Sequence, residues 1–369
     1  MIFGGRSVEH EVSLVSGQAI MKALDPERYE VVPIGISRTG RWVLGGAHYA
    51  LPGDPSIGGL IEVGHGERSG TPGRAGNRRG LVRRARASRL DVVFPVVHGT
   101  GGEDGSLQGL LTLAGIPFVG SGVLGSAVGM DKLIMKALFR HAGLPIVDYR
   151  GLRATDLEGD LNDVAASLEK VIGYPAFVKP ANGGSSVGVS KVVDRASLAN
   201  GLRLAARYDR KVVVERGVDA REIECSVLGN DRPIASVPGE IIPSNEFYDY
   251  RAKYIDAGSR IEIPASISGE QSERVRDLAV RAFEALDLAG MARVDFFVCR
   301  ATGEVLLNEV NTIPGFTSIS MYAKLWEASG IPFAELVDRL IELALESHAE
   351  RAALITTYDG RKNGSPRRS

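Results

Sequence analysis

Thiols are scarce in this chain. Its only cysteines, Cys225 and Cys299, both sit in strand-like apolar runs. No disulfide framework or zinc-site spacing exists, and both read as small core residues of a reduced compartment. A surplus of one charge is also missing: 44 Lys and Arg offset 45 Asp and Glu, a formal net charge of -1. That argues against a general nucleic-acid surface. No apolar run approaches the ~20 residues of a membrane span, and no signal-peptide pattern occurs, so the expectation is a cytosolic enzyme. Two nucleotide signatures are absent as well. GxxxxGK[ST] occurs nowhere, and the Gly4-Gly5 start lacks the full dinucleotide fingerprint. There is no internal repeat. What remains is ordinary for a globular protein: 44% hydrophobic and 24% charged residues over 369 positions. At ~100–200 residues per domain, that length suggests two or three domains.

The organising stretch runs from Met291 to Tyr322, MARVDFFVCRATGEVLLNEVNTIPGFTSISMY. Arg293, Asp295 and Phe297 alternate with Val294, Phe296 and Val298, the period of a strand. Ala301-Thr302-Gly303 makes a turn, Val305 to Val310 returns, and a Gly- and Ser/Thr-rich loop leads into a helix. Asp295, Glu309 and Asn311 would share a face, an oxygen-rich set suited to a hard cation such as Mg2+ that bridges to phosphates. Arg293 lies on that face too, where a positive group can stabilise charge developing during transfer. A hairpin whose charges merely face water fits the same alternation.

At the start, MIFGG is a very short strand, so the natural start is expected a few residues upstream. A helix follows with Val12, Val15, Ala19 and Leu24 as its apolar stripe. Glu9 falls at its beginning, placed to grip a cation or an ammonium group, or simply to complement the helix dipole. About 64–86 the chain turns Gly/Arg-rich without apolar period and reads as a mobile insertion. LDVVFPVVHG is a buried strand ending at His98, with Glu103 nearby, at the edge where α/β sheets place ligands. Lys132 opens an amphipathic helix, where a lysine gains nothing from the dipole and is either solvated or reserved for an anion. Lys179 ends a strand before Gly183-Gly184-Ser185-Ser186, a loop whose amides can wrap phosphate or which is a plain hairpin turn. Glu215 and Glu222 flank the next turn, and Glu222 can take a pair of ribose hydroxyls. A long tyrosine-rich loop, then a helix with Val275, Leu278, Ala282 and Leu286 buried, complete the pattern of an α/β protein. The tail, 356–369, is expected to be disordered.

HGTGGEDGSLQG, MDK, VKPANGGSSVGVSKV, FYDYRAKY, ARVDFFV and NEVNTIPGFTSISM, in this order, resemble the D-alanine–D-alanine ligases of the ATP-grasp superfamily. The resemblance runs from Phe3 to about Leu345. It departs at the short first strand, the Gly/Arg-rich insertion, Ala181-Asn182-Gly183 and Gly217.

The resemblance implies an ATP-grasp fold: an open parallel α/β domain over 1–120, a lid subdomain over 121–210 and a catalytic subdomain over 211–350. It also implies the chemistry. ATP phosphorylates one D-alanine carboxylate, and the amine of a second attacks the acyl phosphate, for peptidoglycan precursor synthesis. Asp295, Glu309 and Asn311 would hold two Mg2+ or Mn2+ ions. Lys132, Lys179 and Lys253, with Ser186 and Asn308, would contact ATP; Glu222 would take the ribose, and Glu215 with the backbone near Val218 the adenine. Glu9, Ser185 and Tyr254 would hold the first alanine's ammonium, with His98 nearby. Arg293 and the Gly315 N–H would stabilise the oxyanion, while Ser320 and the Met321 N–H would take the second substrate's carboxylate. Small-molecule partners and a homodimer are implied, without nucleic acid or membrane. A D-alanine–D-lactate ligase is the nearest alternative, opposed by the tyrosine of AKY; a non-catalytic nucleotide-binding regulator and a dinucleotide oxidoreductase are the others.

Overall fold

The computed structural model describes residues 1–44, 61–62, 90–242, 260–317 and 320–355. The expected insertion, the tail, Lys253 and Tyr254 lie outside the described residues. The first sheet contains β1 (Ile2–Gly4), β2 (Ile34–Ile36), β3 (Trp42–Leu44), β4 (Ile61–Glu62) and β5 (Pro95–Val96), in the order β4-β3-β2-β1-β5. Its centre is parallel, β1 pairing with both β2 and β5, and β3 and β4 extend it antiparallel. Helix α1 (His10–Ala23) packs on β1, and α2 (Ser106–Leu113) follows β5.

The face that α1 buries differs from the expected stripe. His10, Ser13, Ser16, Gly17 and Ile20 are buried, whereas Val15 is 44% exposed. Close approach explains this. A Cβ on Gly17 would lie 3.0 Å from the Phe3 Cβ, and Ser13 Oγ accepts the Gly4 N–H at 2.7 Å and donates to the Val96 carbonyl. Small and hydroxylated residues let the helix sit on the strand ends; branched ones would hold it off.

Next come α3 (Val123–Met130) and α4 (Lys132–His141). The second sheet, all antiparallel, orders β6 (Tyr149–Arg153), β7 (Ala176–Pro180), β8 (Ser190–Val192) and β9 (Lys211–Arg216) as β6-β9-β7-β8. Helices α5 (Leu161–Ile172) and α6 (Arg195–Ala205) cover one face, their Leu168, Leu198 and Leu202 packing with Val178, Val212 and Val214. β9, grouped by the sequence with the strands after it, pairs inside this sheet.

The third sheet joins β10 (Ala220–Gly229), β11 (Ile234–Ala235), β12 (Gly239–Ile242), β13 (Arg260–Glu262), β14 (Gly290–Cys299) and β15 (Val305–Asn311). Its main order is β13-β12-β10-β14-β15. Helix α7 (Gly269–Ala285) packs against it through Val275, Leu278, Ala282 and Phe283, as the periodicity predicts. Met135 and Phe139 of α4 join that same core. A capping box at Ser268 starts α7, each side chain satisfying the other's backbone N–H. Cys225 is wholly buried there, and burial pushes its thiol up to about 12, which makes it an inert core group. Helices α8 (Met321–Ala328) and α9 (Phe333–Ala352) pack Tyr322, Trp326, Leu336 and Leu340 with Phe3, Phe94 and Met291, so first and third sheets share a core. Among the described residues no helix is long and apolar enough to cross a membrane.

Candidate active site

Strand β14 alternates without error from Ala292 on: Ala292, Val294, Phe296 and Val298 are buried, and Arg293, Asp295 and Phe297 turn the other way. On β15, Glu309 stands opposite Asp295 and Asn311 opposite Arg293. The register then slips, Phe296 pairing with Leu307, so Asn308 is an extra residue. Such a bulge lets neighbouring side chains point to one side. Asn308 and Glu309 are accordingly both half-buried between buried Leu307 and Val310. The buried Asn308 Oδ1 has no hydrogen-bond partner among the described residues. β10 completes the face, with Glu224 opposite Asp295 and Glu222 two residues along the strand.

Arg293 is gripped from two sides. Its Nε and a terminal nitrogen donate to the two oxygens of Asp295 at 2.7 and 2.8 Å. Glu224 Oε2 lies 3.0 Å from Nε. Burial alone would lower this guanidinium's pKa, but Asp295 and Glu224 outweigh it and raise it well above the ordinary value. The Asn311 amide donates to Asp295 Oδ2 at 3.0 Å, which leaves its own oxygen as a donor atom. Two carboxylates and an amide oxygen are the hard ligands that Mg2+ takes beside phosphate, so the residues fit such an ion.

Three lysines border this face. Lys132 Nζ donates to the Gly183 carbonyl at 2.8 Å and lies 3.6 Å from Glu309 Oε2. Its unfavourable place at a helix start is relieved by Asp131, whose side chain caps the Leu133 and Ile134 amides. Lys179 Nζ and Lys136 Nζ hold the two oxygens of buried Glu215 at 2.7 and 3.1 Å. Burial draws the Lys136 ammonium below its ordinary pKa despite Glu215. Lys179 meets the same penalty, but Glu215 and Glu309 carry it above. Burial would raise the Glu215 carboxyl, yet the two lysines draw it below its ordinary value. Val218 follows Gly217, whose N–H donates to the Pro175 carbonyl at 2.8 Å. A Cβ there would sit 2.8 Å from that oxygen, so the turn has no room for a side chain.

The glycine loop reaches the first domain. Ser185 Oγ donates to Glu9 Oε1, and a Cβ on Gly184 would meet Glu9 Oε2 at 2.9 Å. Ser185 and Ser186 hold φ of 51° and 58°, a left-handed strain typical of functional loops. Glu9 N-caps α1 without a side-chain cap bond. His98 is buried, its Nδ1 3.0 Å from the Ile313 carbonyl and 3.9 Å from Glu103. Burial favours the neutral ring, whereas Glu103 and Glu9 carry its pKa above the ordinary value. Ser320 N-caps α8, and its Oγ accepts the Thr317 N–H at 2.9 Å. It also lies 3.3 Å from where a Cβ on Gly315 would be, which brings Gly315, Ser320 and the Met321 end of the helix together.

The structure thus brings the described candidates from all three sheets to one region. Pattern reading missed two of its members. Lys136 lies one helical turn after Lys132, and Glu224 is two residues past Glu222 on a strand, so both periods carried the signal.

A parallel-centred sheet followed by two antiparallel sheets, with lysines and carboxylates converging between them, defines an ATP-grasp ligase. Residues 1–121 match the D-ala D-ala ligase N-terminus family and residues 138–342 the D-ala D-ala ligase C-terminus family. The D-alanine--D-alanine ligase of Thermoanaerobacter sp. (strain X514) is 52% identical over 359 residues, 95% of this chain and 97% of that protein. Its counterpart from Acetivibrio thermocellus is 49% identical, over 94% and 96%. Among solved structures, the D-alanine-D-alanine ligase from Coxiella burnetii superposes with a TM-score of 0.79 at 36% identity, covering 98% of each chain. VanG D-Ala:D-Ser ligase from Enterococcus faecalis gives 0.76 at 35%, covering 93% of this chain and 98% of that one. The chain belongs to the D-alanine–D-alanine ligase family.

Proposed function

We propose that this protein joins two D-alanine molecules to D-alanyl-D-alanine, consuming ATP and releasing ADP and phosphate for peptidoglycan precursor synthesis. The observation that carries this reading is the shared face of Arg293, Asp295, Glu309 and Asn311, bordered by Lys132 and Lys179. Metal oxygen donors, phosphate-binding cations and an oxyanion donor are the parts that carboxylate activation by phosphoryl transfer requires.

A free carboxylate resists amines because its leaving group is oxide-like; moving a phosphoryl group onto it supplies a good one. Lys132 and Lys179, with Lys253, Ser186 and Asn308, bind the nucleotide, Glu222 its ribose, and Glu215 with the Val218 backbone its adenine. Two Mg2+ or Mn2+ ions on Asp295, Glu309 and Asn311 would neutralise charge on the transferring phosphoryl group. Glu9, Ser185 and Tyr254 hold the first substrate's ammonium, with His98 beside them. The second amine then attacks the acyl carbon, and Arg293 with the Gly315 N–H receives the oxyanion. Ser320 and the Met321 N–H, at a helix start, bind the acceptor's carboxylate.

The test is phosphate release from ATP with D-alanine, L-alanine, D-serine or D-lactate, alone and in pairs. D-alanine alone is expected to support turnover, with D-alanyl-D-alanine the main product from mixtures. No D-alanine-dependent phosphate would overturn the reading, and preference for a second acceptor would reassign the acceptor site.

A further inference from the structure

We infer that Ser16, on the buried face of α1, is a positioning residue for the loop from Ile313 to Phe316. It acts by closing a ring of hydrogen bonds through His98. The inference rests on the function proposed above, in which the Gly315 N–H faces the developing oxyanion.

The ring follows from donor and acceptor chemistry. The Ile313 carbonyl, 3.0 Å from His98 Nδ1, can only accept, and Glu103 Oε1 near the same nitrogen also accepts. Nδ1 therefore carries a proton in either charge state of the ring. Nε2 lies 3.3 Å from Ser16 Oγ. In the neutral ring it accepts the serine hydroxyl; in the charged ring it donates to the serine oxygen. Either way Ser16 Oγ remains an acceptor for the Phe316 N–H, at 3.1 Å. The loop is thus held at its first carbonyl and at its last amide by one buried pair from the first domain.

Between those two points lie only Pro314 and Gly315. Proline has no N–H, so the sole amide hydrogen inside the clasp is that of Gly315. Fixing the flanking peptide groups sets its direction. The Phe316 ring is separately buried among Phe94, Tyr322 and Phe333, with centroids 5.8, 5.5 and 5.6 Å away. Packing therefore holds the side chain, and Ser16 is left to set the backbone. Ser16 is fully buried, and among the described residues its hydroxyl bonds to His98 and Phe316 and to neither Lys132 nor Lys179.

Two variants test this. Ser16→Ala removes the hydroxyl, and Ser16→Cys keeps the shape with a much weaker hydrogen-bonding group. Both are expected to lower kcat about 10–100-fold, since a misdirected oxyanion donor should cost less than the ~10²–10³ of losing one. Affinity for a tetrahedral phosphinate analogue of the addition step should fall by the same factor, whereas KM for ATP and affinity for D-alanine stay put. Hydrogen exchange at the Phe316 amide should accelerate. Wild-type kcat with Phe316 still protected would overturn the inference. So would an equal fall in affinity for nucleotide, D-alanine and analogue, or failure of both variants to fold, because Ser16 would then serve general packing. A wild-type protein without D-alanine-dependent turnover would instead sink the function, and the Phe316 exchange result would stand apart from it.

Discussion

Arg293→Lys should leave a folded protein that binds nucleotide and turns over about 10²–10³ times more slowly, the loss seen when one oxyanion donor is removed. Charge is conserved by the change, so Asp295 and Glu224 keep a cationic neighbour and the fold is retained. Geometry is not. Arg293 spans both oxygens of Asp295 at 2.7 and 2.8 Å while its Nε also meets Glu224 at 3.0 Å. A lysine offers one compact ammonium on a flexible stem and cannot reproduce that fork. Steady-state kinetics with titration of an ATP analogue would check this: kcat should carry the loss, and analogue affinity should hold. A rate within a factor of about three of wild type would mean that Arg293 is only a structural partner of Asp295.

Lys136→Met should have the largest effect on stability. The Lys136 side chain is 0% exposed, and its ammonium lies 3.1 Å from both Glu215 Oε1 and the Asn308 carbonyl. Removing one partner of a buried ion pair typically costs about 3–5 kcal/mol. Lys179 still holds the other oxygen of Glu215 at 2.7 Å, so the lower end, about 3 kcal/mol, is expected. For a chain of this size that is a fall in Tm of roughly 4 °C. The pH dependence has a definite sign. Glu215 is held below its ordinary 4.5 by the two lysines, so its pairing stabilises the fold above that value and is lost as pH falls through the folded pKa. With one lysine gone the folded pKa rises, and acid unfolding of the variant should begin at higher pH than in wild type. Thermal melts between about pH 3 and pH 7 would show both effects, and coincident curves would contradict the network. Because Lys136 also holds the bulge at Asn308 through its carbonyl, ATP-dependent turnover should fall at temperatures below the melt, before unfolding sets in.

How far these elements were legible from sequence depends on where their partners lie. β14 was readable because one face packs on α7 and the other carries the polar groups, so alternation in the text became alternation in burial. The α7 stripe was readable for the same reason. α1 was not: it lies so close to β1 that, Ile20 apart, its buried face is made of two serines, a glycine and a histidine, which no hydrophobic period reveals. Lys136 shares the helical period of Lys132, but nothing local marks it as buried, since its partner Glu215 is remote in the chain. The grouping of β9 with β10 failed to foresee that neighbours in sequence enter different sheets. The bulge at Asn308 left no mark in the pattern, although Asp295, Glu309 and Asn311 fell together without it. Lys253 and Tyr254 rest on motif resemblance alone and lie outside the described residues.

The central claim is that the carboxylate of D-alanine, and no other acceptor, receives the phosphoryl group of ATP. Oxygen-18 in both carboxylate oxygens of D-alanine tests it most directly. In the acyl phosphate one of those oxygens bridges carbon and phosphorus, and attack by the second amine expels it with the phosphate. The account predicts a single heavy oxygen in the inorganic phosphate for each dipeptide formed, read by mass spectrometry, with the other retained in the new peptide carbonyl. Unlabelled phosphate accompanying dipeptide formation would contradict it, because the phosphoryl group would then have passed to water or to the protein instead.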